Sequence, residues 1–543
     1  MQKCSERAER YLDIPLSHDR IYSSKITSWP QLYTVHSRQS SFFRLKPGSM
    51  SSSIPSEAPS HIRILTLNCW GLKYIAKYRH ERMSEIGRQL ALASPPPEIV
   101  GLQECWTQKD FESIRDQTRH ILPYGKFYYG GIFGAGLAIL SKWPIEESSM
   151  FGYPLNGRPT AFFRGDWFVG KGVASARVRF GPGTADVAEV FCTHLHAPYE
   201  REPNDSYICH RTAQAWEISK LMRGAAERGH LVLGLGDFNM LPSSFAHRLI
   251  TAQSPVRDAW REIHPDSSLA AAIDSVEKAR NKPIPTAEFN LSENGATCDG
   301  SFNTWRWSEN MRKRLTKGED IVIDNDTPDP RGKRLDYIFV GDGGYPPTFP
   351  SPRWSVESVE VSMTQRHPTL LCSLSDHFAV EAVITRSSTG LKQPHPDSDS
   401  DSAPASPNSP TLHTTSSKQV SPNAALSPET YDQIVEMTHK YVDRERSQRR
   451  WRMAHFIASI LISIGCMVGV WFVGNRNYIG FLLILISTLN FAAGVLDGLI
   501  GGLFMSSELR ALKEFEWEVR NAQRLVIAAE GSSSAKAEGE RED

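Results

Sequence analysis

The chain has 543 residues, and its 61 Lys and Arg are balanced by 61 Asp and Glu. This length predicts one large domain with additional segments. The balanced charge leaves no overall basic field of the kind that accompanies non-specific nucleic-acid binding, which argues against a nuclease without excluding a local basic groove. The 8 cysteines show no paired spacing, and they predict buried, reduced thiols in a cytosolic domain rather than a disulfide framework.

The N-terminal half begins without a membrane signal. Residues 1–60 contain no apolar stretch of the kind that a secretory signal needs, and they are predicted to form a disordered extension. From His61 onward, short apolar runs alternate with amphipathic stretches, which predicts one folded domain over residues 61–386. Several runs are apolar throughout, as expected for strands covered on both faces, so the predicted fold class is an α/β sandwich. The predicted strands are 62–67, 99–102, 137–140, 187–192, 231–235, 335–340 and 378–384.

The C-terminal third changes character twice. Residues 387–430 are rich in Ser, Pro, Asp, Thr and Asn, which bury too little apolar surface to offset ordering entropy, so a disordered linker is predicted. Residues 454–504 contain two apolar segments joined by a polar turn. Each segment has the ~20 residues that span a hydrocarbon core of ~30 Å, which predicts a transmembrane helical hairpin. A buried helical pair in a soluble domain is the alternative.

A basic juxtamembrane segment, residues 431–453, precedes the hairpin. The positive-inside tendency places this segment, the folded domain and a C-terminal tail of residues 505–543 in the cytosol. Juxtamembrane Lys and Arg attract anionic lipid by about 1 kcal/mol per residue, so the bilayer and activating anionic phospholipids are expected partners that draw the domain down on its linker. Asp497 either marks the end of the second span or faces a partner helix. The basic residues are Lys440, Arg444, Arg446, Arg449, Arg450 and Arg452.

Five polar motifs follow apolar runs or precede them. Phosphodiester hydrolysis needs an activated water, charge neutralisation at the phosphoryl oxygens and help for the leaving group. A Mg²⁺ ion held by carboxylates can neutralise charge at the phosphoryl oxygens, and an Asp–His pair can activate the water. Each motif is common by itself, but the ordered set is not. In chain order the motifs are Asn68, Gln103-Glu104, His194, Gly236-Asp237-Phe238-Asn239 and Ser375-Asp376-His377.

This ordered set resembles the endonuclease/exonuclease/phosphatase superfamily over residues 61–385, which implies a four-layer α/β sandwich. Within that superfamily the chain is similar to the neutral sphingomyelinases and, more closely, to the fungal inositol phosphosphingolipid phospholipases C. The resemblance implies a Mg²⁺-dependent phospholipase C that converts sphingolipids to ceramide and a phosphorylated head group. The narrower resemblance rests on residues 67–71, 192–197, 295–299, 303–305, the hairpin and a P-loop-like segment at 157–172.

The resemblance also implies a metal and base arrangement. Glu104 would be the principal Mg²⁺ ligand, with Asn68 as a second ligand nearby. His377 would be the general base, and Asp376 would orient it. Asp336 matches a supporting carboxylate of the superfamily, although a purely structural role is equally compatible with the sequence.

The remaining implied roles concern the phosphate. Asp237 and Asn239 would contact the phosphate and the waters on the metal, and His194 would stabilise the charged transition state. Asp166 and Lys171, in the P-loop-like segment, are implied to matter for activity, and Lys171 would either neutralise a phosphate or brace Asp166. The segment lacks the GxxxxGK[ST] pattern, so nucleotide binding is not predicted.

Three alternatives stay open from the sequence: a nuclease of the same fold, an inositol-phosphate phosphatase, and an inactive membrane-anchored interaction protein. The balanced charge and the hairpin argue against the nuclease, and nucleic acid is not an expected partner. The predicted location is an integral membrane position with the folded domain in the cytosol. The endoplasmic reticulum is preferred, and the mitochondrial outer membrane is the alternative. No motif distinguishes an inositol-phosphate head group from a choline-phosphate head group.

Overall fold

The computed structural model describes residues 56–161, 164–200, 205–342, 354–386 and 426–542. Most of the predicted N-terminal extension and residues 387–425 of the predicted linker lie outside the described residues. The strands are β1 (His61–Asn68), β2 (Ile99–Gln103), β3 (Tyr124–Tyr128), β4 (Leu137–Ser141), β5 (Ile145–Gly152), β6 (Gly172–Arg179), β7 (Val187–His194), β8 (Leu231–Asp237), β9 (Arg257–Asp258), β10 (Asp336–Gly341), β11 (Trp354–Ser362) and β12 (Ala379–Arg386).

Helices cover the sheets and form the C-terminal region. Two 3₁₀ turns, Asp166–Phe168 and Thr304–Arg306, lie in loops, and a π-helical turn, Ile500–Phe504, joins the last two helices. The α-helices are α1 (Arg79–Leu92), α2 (Gln108–Thr118), α3 (Ile208–Glu227), α4 (Phe245–Gln253), α5 (Ala259–Ile263), α6 (Ser275–Lys278), α7 (Ala287–Ser292), α8 (Glu309–Thr316), α9 (Pro428–Val470), α10 (Asn477–Leu499) and α11 (Met505–Glu542).

Two six-stranded mixed sheets form the centre of the domain. The first has the strand order β11-β12-β1-β2-β4-β3, and the second has the order β5-β6-β7-β8-β10-β9. Only β1–β2 and β7–β8 are parallel pairs among the described strands, and both lie in the middle of their sheets. Helices α1 and α2 cover the first sheet, and α3 and α4 cover the second. The predicted α/β sandwich is therefore confirmed, with four layers.

The central strands are apolar because both of their faces are buried. In β1, Ile62 and Ile64 point into the core between the sheets, and Leu65 and Leu67 point toward helix α1. At Gly101 a Cβ atom would lie only 3.1 Å from a methyl carbon of Leu235 on the opposite sheet. Glycine at this position therefore allows the two sheets to approach closely.

All seven predicted strands are present, whereas five further strands were missed. Four of the missed strands, β3, β5, β9 and β11, lie at the edges of the sheets, and β6 lies next to an edge. Strand β5 is half-buried or exposed along its whole length. Edge strands carry polar side chains on their open face and lack the continuous apolar run that marks a central strand.

The C-terminal region consists of long helices that cross the predicted segment boundaries. Helix α9 begins at Pro428 and continues without a break through the basic segment into the first apolar segment. Helices α9 and α10 each carry a stretch long and apolar enough to cross a membrane. Asp497 on α10 contacts Arg452 and His455 on α9. Of its two predicted positions, it therefore has the one that faces a partner helix.

The polar ends of α9 and α11 form a stalk, defined as residues 428–453 and 505–526, that packs on helix α3. Tyr431 and Ile434 of α9 and Phe515 of α11 belong to the same apolar core as Trp216 of α3. Lys220 also forms an ion pair with Glu518 at 2.8 Å. The basic segment and the tail, which were predicted as separate segments, therefore bury their apolar faces against the folded domain.

Candidate active site

Parallel strand pairs bring the predicted residues to one edge of the sandwich, which we call the site edge. Asn68 pairs with Gln103 at the ends of β1 and β2, and His194 pairs with Asp237 at the ends of β7 and β8. Antiparallel β10 begins at this same point, since Asp336 pairs with Asp237. The carboxyl ends of four central strands thus meet in one place, which is where α/β folds concentrate their functional groups.

Asp237 is at the centre of the site. Its Oδ2 accepts a hydrogen bond from Asn68 Nδ2 at 3.0 Å and lies 3.6 Å from His194 Nε2 and 4.0 Å from His377 Nε2. Its Oδ1 accepts from the backbone N–H of Asn239 at 2.9 Å. Four of the predicted residues therefore surround a single buried carboxylate.

His377 is oriented by Asp336. The Nδ1 of His377 lies 2.8 Å from Asp336 Oδ2, and both side chains are buried. This contact leaves Nε2 of His377 directed toward Asp237. Burial opposes protonation of His377, but Cys298, Asp336 and Asp237 outweigh it, so its pKa lies well above the ordinary value. The pair has the geometry of an imidazole whose tautomer is held by a carboxylate.

The prediction that Asp376 orients His377 is wrong. Asp376 is 3.7 Å from Arg306, which also binds Asp299 at 2.8 Å. Lys333 completes this charged group through an ion pair with Asp299 at 3.0 Å. Asp376 and His377 therefore face different partners, Arg306 and Asp336. The sequence contained the segment with Asp299 but no signal that paired it with Arg306 and Lys333.

Glu104 reaches the site through an unusual backbone conformation. Its φ is 52°, in the left-handed region, directly after β2 ends. The backbone N–H of Gly71 donates to the Glu104 carbonyl at 3.0 Å, and a Cβ atom at Gly71 would lie 2.3 Å from that oxygen. Glycine is therefore required at Gly71 for the loops after β1 and β2 to meet.

Asn68 contacts both carboxylates as a donor. Its Nδ2 lies 3.2 Å from Glu104 Oε1 and 3.0 Å from Asp237 Oδ2, while its Oδ1 accepts from the N–H of Trp70. The Oδ1 of Asn68 accepts one hydrogen bond and has a second lone pair, so its role as a metal ligand stays a prediction. In the structure Asn68 holds the two carboxylates in position through Nδ2.

The charged forms of the carboxylates at the site are unfavourable without a nearby cation, because these groups are buried. Burial raises the pKa of Asp237 to about 7 despite the opposing effect of His377. Burial also raises the pKa of Glu104, with Asp376 adding to the effect and Asn68 opposing it. A cation is the usual compensation for acidic groups that share a buried site.

The site residues fit a divalent metal ion. Among the described residues, Asp237, Asp336 and His377 form a group whose ligand atoms all lie within 4.8 Å of one another. The Oδ1 of Asp336 is buried and has no hydrogen-bond partner among the described residues. Glu104 adds another carboxylate, and the same Asn68 Nδ2 group donates hydrogen bonds to Glu104 and to Asp237. Carboxylate oxygens of this kind are the ligands that hard cations prefer.

His194 presents a neutral imidazole to this site. Burial lowers its pKa well below the ordinary value, and Lys171 and His377 add to the effect. Neutral imidazole can donate one hydrogen bond without carrying a charge. His194 lies 3.6 Å from Asp237, so a polar group bound beside Asp237 would also contact it.

Lys171 connects the P-loop-like segment to the site. Its buried Nζ donates to the backbone carbonyls of His194 and Leu195 at 3.3 and 3.2 Å. Burial lowers its pKa, and Asp166, Glu104 and Asp237 oppose that effect. The ammonium group is therefore close enough to act electrostatically on both the segment and the carboxylates of the site edge.

Asp166 lies behind the site. It begins the 3₁₀ turn Asp166–Phe168, where its Oδ2 accepts from Tyr199 Oη at 2.6 Å and lies 3.5 Å from His196 Nε2. His196 in turn stacks on Tyr207 with ring centroids 3.7 Å apart. The structure therefore places Asp166 in a layer of aromatic and imidazole side chains, and Lys171 interacts electrostatically with Asp166 as well as with Glu104 and Asp237.

Arg82 is a site residue that the sequence analysis did not identify. The fully buried guanidinium donates to the carbonyls of Cys69, Trp70 and Leu374 at 3.1, 2.8 and 2.6 Å. It also lies 4.7 Å from the centre of the Trp70 ring. Arg82 thus ties the loop after β1 to the loop that carries His377. Its position on the apolar face of α1 was the available signal.

Comparison with known proteins identifies the family of the chain. The model of the Endonuclease/Exonuclease/phosphatase family matches residues 65–377. The chain is 37% identical to an inositol phosphosphingolipids phospholipase C of Schizosaccharomyces pombe, over 86% of this chain and 96% of that protein. It is 32% identical to the protein of the same name from Saccharomyces cerevisiae, over 90% of this chain and 96% of that protein.

A vertebrate protein shares a shorter region. Sphingomyelin phosphodiesterase 2 of Homo sapiens is 36% identical over 201 residues, which are 37% of this chain and 46% of that protein. The two fungal relatives, by contrast, match over nearly the full length, including the region of the C-terminal helices. The chain therefore belongs to the Endonuclease/Exonuclease/phosphatase family, in the same group as the fungal inositol phosphosphingolipid phospholipases C.

Proposed function

We propose that this protein is a Mg²⁺-dependent, membrane-tethered phospholipase C that hydrolyses the phosphodiester of sphingolipids. The single observation that carries the proposal is the meeting of Glu104, Asp237 and the His377–Asp336 pair at one edge. The full-length similarity to two fungal phospholipases C supports a sphingolipid substrate. The products would be ceramide and a phosphorylated head group.

Glu104 would hold the metal ion, with Asp237 close to it. When bound, Mg²⁺ would neutralise charge on the phosphoryl oxygens of the substrate. Asn68 holds the two carboxylates at hydrogen-bonding distance. This buried arrangement needs little rearrangement during the reaction, which is how preorganised sites stabilise developing charge.

His377 would act as the general base when a bound cation offsets the negative charge of Asp237, one of the groups that raise the pKa of His377. Its Nδ1 is occupied by Asp336, so Nε2 is the nitrogen that takes a proton from the attacking water. The water oxygen then forms a bond to phosphorus as the bond from phosphorus to the ceramide oxygen breaks. The ceramide oxygen leaves with a proton taken from solvent, the head group keeps the phosphate, and His377 then releases its proton to solvent.

The opposite side of the site would bind the phosphoryl group. His194 can donate a hydrogen bond to a phosphoryl oxygen while it remains neutral. Asn239, whose Nδ2 lies 3.1 Å from the Leu195 carbonyl, would contact the phosphate together with Asp237 and the waters on the metal. Lys171 adds positive potential from behind, since Glu104 and Asp237 both act on its pKa.

Membrane tethering follows from the apolar stretches in α9 and α10. An antiparallel hairpin of this length spans the bilayer twice and returns both ends to one side. The basic residues before the first span favour the cytosol for that side. We propose the endoplasmic reticulum as the host membrane, with the mitochondrial outer membrane as the alternative.

Turnover by the purified full-length protein tests the proposed function. Inositol phosphosphingolipid and sphingomyelin are offered in separate mixed micelles, with Mg²⁺, with chelator, and with Mg²⁺ restored. We expect ceramide release from at least one lipid, its loss on chelation and its recovery with Mg²⁺. Nicking of supercoiled plasmid without ceramide release would favour a nuclease, and no turnover of either substrate would favour an inactive interaction protein.

Anionic phospholipids would increase this activity through the basic juxtamembrane segment. Lys440 and Arg444 line a cavity of about 510 Å³ between α9 and the start of α3. Arg449 and Arg452 instead contact the second hairpin helix, through Gly501 and Asp497. Charge reversal at Lys440 and Arg444 should therefore reduce stimulation by anionic vesicles. Unchanged stimulation in that variant would rule out this segment as the sensor.

A further inference from the structure

One loop at the site edge exposes three large apolar side chains. Tyr129, Ile132 and Phe133 are 63%, 72% and 63% exposed, and they lie between β3 and β4. We call residues 129–134 the apolar loop. Soluble surfaces tolerate single apolar side chains, but a cluster of this kind marks an interaction surface.

The strand pairing places the apolar loop beside the site. Strand β4 is antiparallel to β2, and Ala138 pairs with Leu102 near the end of β2. The N–H of Cys105 donates to the carbonyl of Gly136 at 3.0 Å, directly after Glu104. The apolar loop therefore leaves the sandwich at the same edge as the catalytic carboxylates.

The P-loop-like segment links the apolar loop to the membrane hairpin. The backbone N–H groups of Ile132 and Phe133 both donate to the Phe168 carbonyl, at 3.0 and 3.2 Å. The adjacent Trp167 ring packs on Phe504, with centroids 4.6 Å apart. Phe504 is the last residue of the predicted hairpin. The apolar loop is thus separated from the end of the hairpin only by the turn Asp166–Phe168.

Two glycines fix this contact. Gly131 and Gly170 both have positive φ, and a Cβ atom at Gly131 would lie 2.5 Å from the Gly170 nitrogen. The two backbones therefore touch, which fixes the apolar loop against the P-loop-like segment, and the rings of Trp167 and Phe504 join that segment to the hairpin. A second loop at this edge carries Tyr74 and Ile75, which are 91% and 63% exposed.

We propose that the apolar loop inserts into the cytosolic leaflet and seats the site edge on the bilayer as a contact separate from the hairpin. The inference rests on the proposed membrane topology. Arg449 Nε donates to the carbonyl of Gly501 at 3.1 Å, so the turn that contains Phe504 lies level with the basic residues that mark the membrane surface. Aromatic and aliphatic side chains at that level enter the interface, with binding that grows with buried apolar area.

Two assays on full-length protein test the insertion. Wild type and the double variant Ile132→Ser/Phe133→Ser are assayed on sphingolipid in phosphatidylcholine vesicles with the protein reconstituted, and on a water-soluble short-chain sphingolipid in detergent. Activity in vesicles should fall by about tenfold or more, because the site edge loses its apolar contact with the leaflet. Activity on the soluble substrate should stay within about twofold, because neither side chain lies in the catalytic cluster.

Leu92→Ser is the matched control. Leu92 is also an exposed aliphatic side chain, at 66%, but it ends α1 just before β2 begins at Ile99, at the opposite edge of the first sheet. It should leave both activities unchanged. Hydrogen exchange adds a direct readout, since residues 129–134 should exchange more slowly in lipid nanodiscs than in detergent.

The outcomes separate the insertion from the proposed function. Equal losses in both assays would overturn the insertion and assign the apolar loop to catalysis or folding. Full vesicle activity in the double variant would overturn it too, as would protection of residues 129–134 only when a second protein is added. If wild type turned over neither substrate, the proposed function itself would fail, whereas slow exchange in nanodiscs would still support the insertion.

Discussion

Two of the clusters in which acidic side chains are buried next to histidine differ in how the buried charge is compensated. At the site edge, Asp237 accepts hydrogen bonds from Asn68 and from the Asn239 backbone and lies near two imidazoles. At the stalk, Glu508 accepts from Tyr441 Oη at 2.9 Å and lies 3.2 Å from His210 Nε2. The chain separation between Glu508 and His210 shows that the second cluster forms only when the stalk docks.

The stalk cluster contains an additional carboxylate that has no donor. Glu445 is fully buried, and neither of its oxygens has a hydrogen-bond partner among the described residues. Burial raises the pKa of Glu445 to about 7, Glu508 adds to the effect, and Arg444 and Arg158 oppose it. Protonation of the Glu445 carboxylate can therefore remove the uncompensated charge in this cluster.

The difference shows how each site tolerates buried acids. Several donors converge on the carboxylates of the site edge, which keeps them aligned for a cation and a substrate. The stalk carboxylates face each other with few donors, and a neutral acid is the less costly state there. Substitutions that remove a charge should therefore inactivate the first cluster and stabilise the second.

Glu104→Gln should cause the largest loss. It keeps the shape of the side chain but removes the charge proposed to hold the metal, so kcat/KM on sphingolipid in mixed micelles should fall by about 10³-fold or more. Circular dichroism and Tm should remain close to wild type. A loss below about tenfold would show that Glu104 is not the principal ligand.

The variants Asp336→Asn and Asp376→Asn should distinguish the roles of the two acidic residues near His377. Asp336 bonds to His377, whereas Asp376 faces Arg306. Loss of a correctly oriented base costs about 10²–10⁴-fold in rate, so kcat should fall by that amount in Asp336→Asn and by only a few-fold in Asp376→Asn. As a second measurement, the activity of each variant is titrated with Mg²⁺ to find the concentration for half-maximal activity.

Two results would contradict this assignment. If Asp336→Asn mainly raised the Mg²⁺ concentration for half-maximal activity, the metal would bind the group formed by Asp237, Asp336 and His377. If Asp376→Asn were the more damaging change, the charged group around Arg306 would have a direct role in the reaction.

Asn68→Ala should give an intermediate effect. The amide bonds both Glu104 and Asp237, and removal of a group that positions metal ligands typically costs about 10–100-fold in metal affinity or activity. We expect the Mg²⁺ requirement to rise, measured by titration of activity. Unchanged Mg²⁺ dependence with lower kcat would instead indicate that Asn68 acts on the substrate.

Glu445→Gln should give the smallest effect and the opposite sign. The folded pKa of about 7 lies above the ordinary value of 4.5, so the stability from protonated Glu445 is complete below about pH 4.5 and is lost as pH rises through about 7. At pH 8 the variant should exceed wild type in Tm by about 2–4 °C, the shift expected for about 1 kcal/mol. At pH 5 the gain should shrink.

Exposed Glu436, which pairs with Lys440 on the same helix, provides the control for that measurement. Glu436→Gln should leave the pH dependence of Tm unchanged. A destabilised Glu445→Gln at pH 8 would mean that the carboxylate is charged and satisfied in the docked stalk.

Local patterns in the chain predicted much of the fold. The central strands were recognisable because strands buried on both faces need continuous apolar runs, as in β1 and β8. The edge strands β3 and β5 were missed because their exposed faces carry polar residues. The membrane hairpin was visible for the same reason as the central strands, since ~20 apolar residues have few other uses.

Many of the residues that meet at the site edge were predicted, but Arg82 was missed and the pairing of His377 was not predicted. Asn68, Glu104, His194, Asp237 and His377 each stand beside an apolar run, where strand ends bring them together. The partner of His377 was misassigned, because its neighbour in sequence, Asp376, points away and Asp336 arrives from an antiparallel strand. Contacts between distant segments leave no local pattern.

Sequence alone therefore determined the sandwich, the members of the site and the two apolar helices, since each depends on residue type and short-range spacing. Only the tertiary structure decided which acid holds His377, how Arg82 ties two loops together, and that the stalk docks on α3. It also decided that Trp167 meets Phe504 and places the site edge beside the hairpin. These features depend on side chains from 41 to more than 300 residues apart in the chain, whose meeting is set by packing of the whole chain.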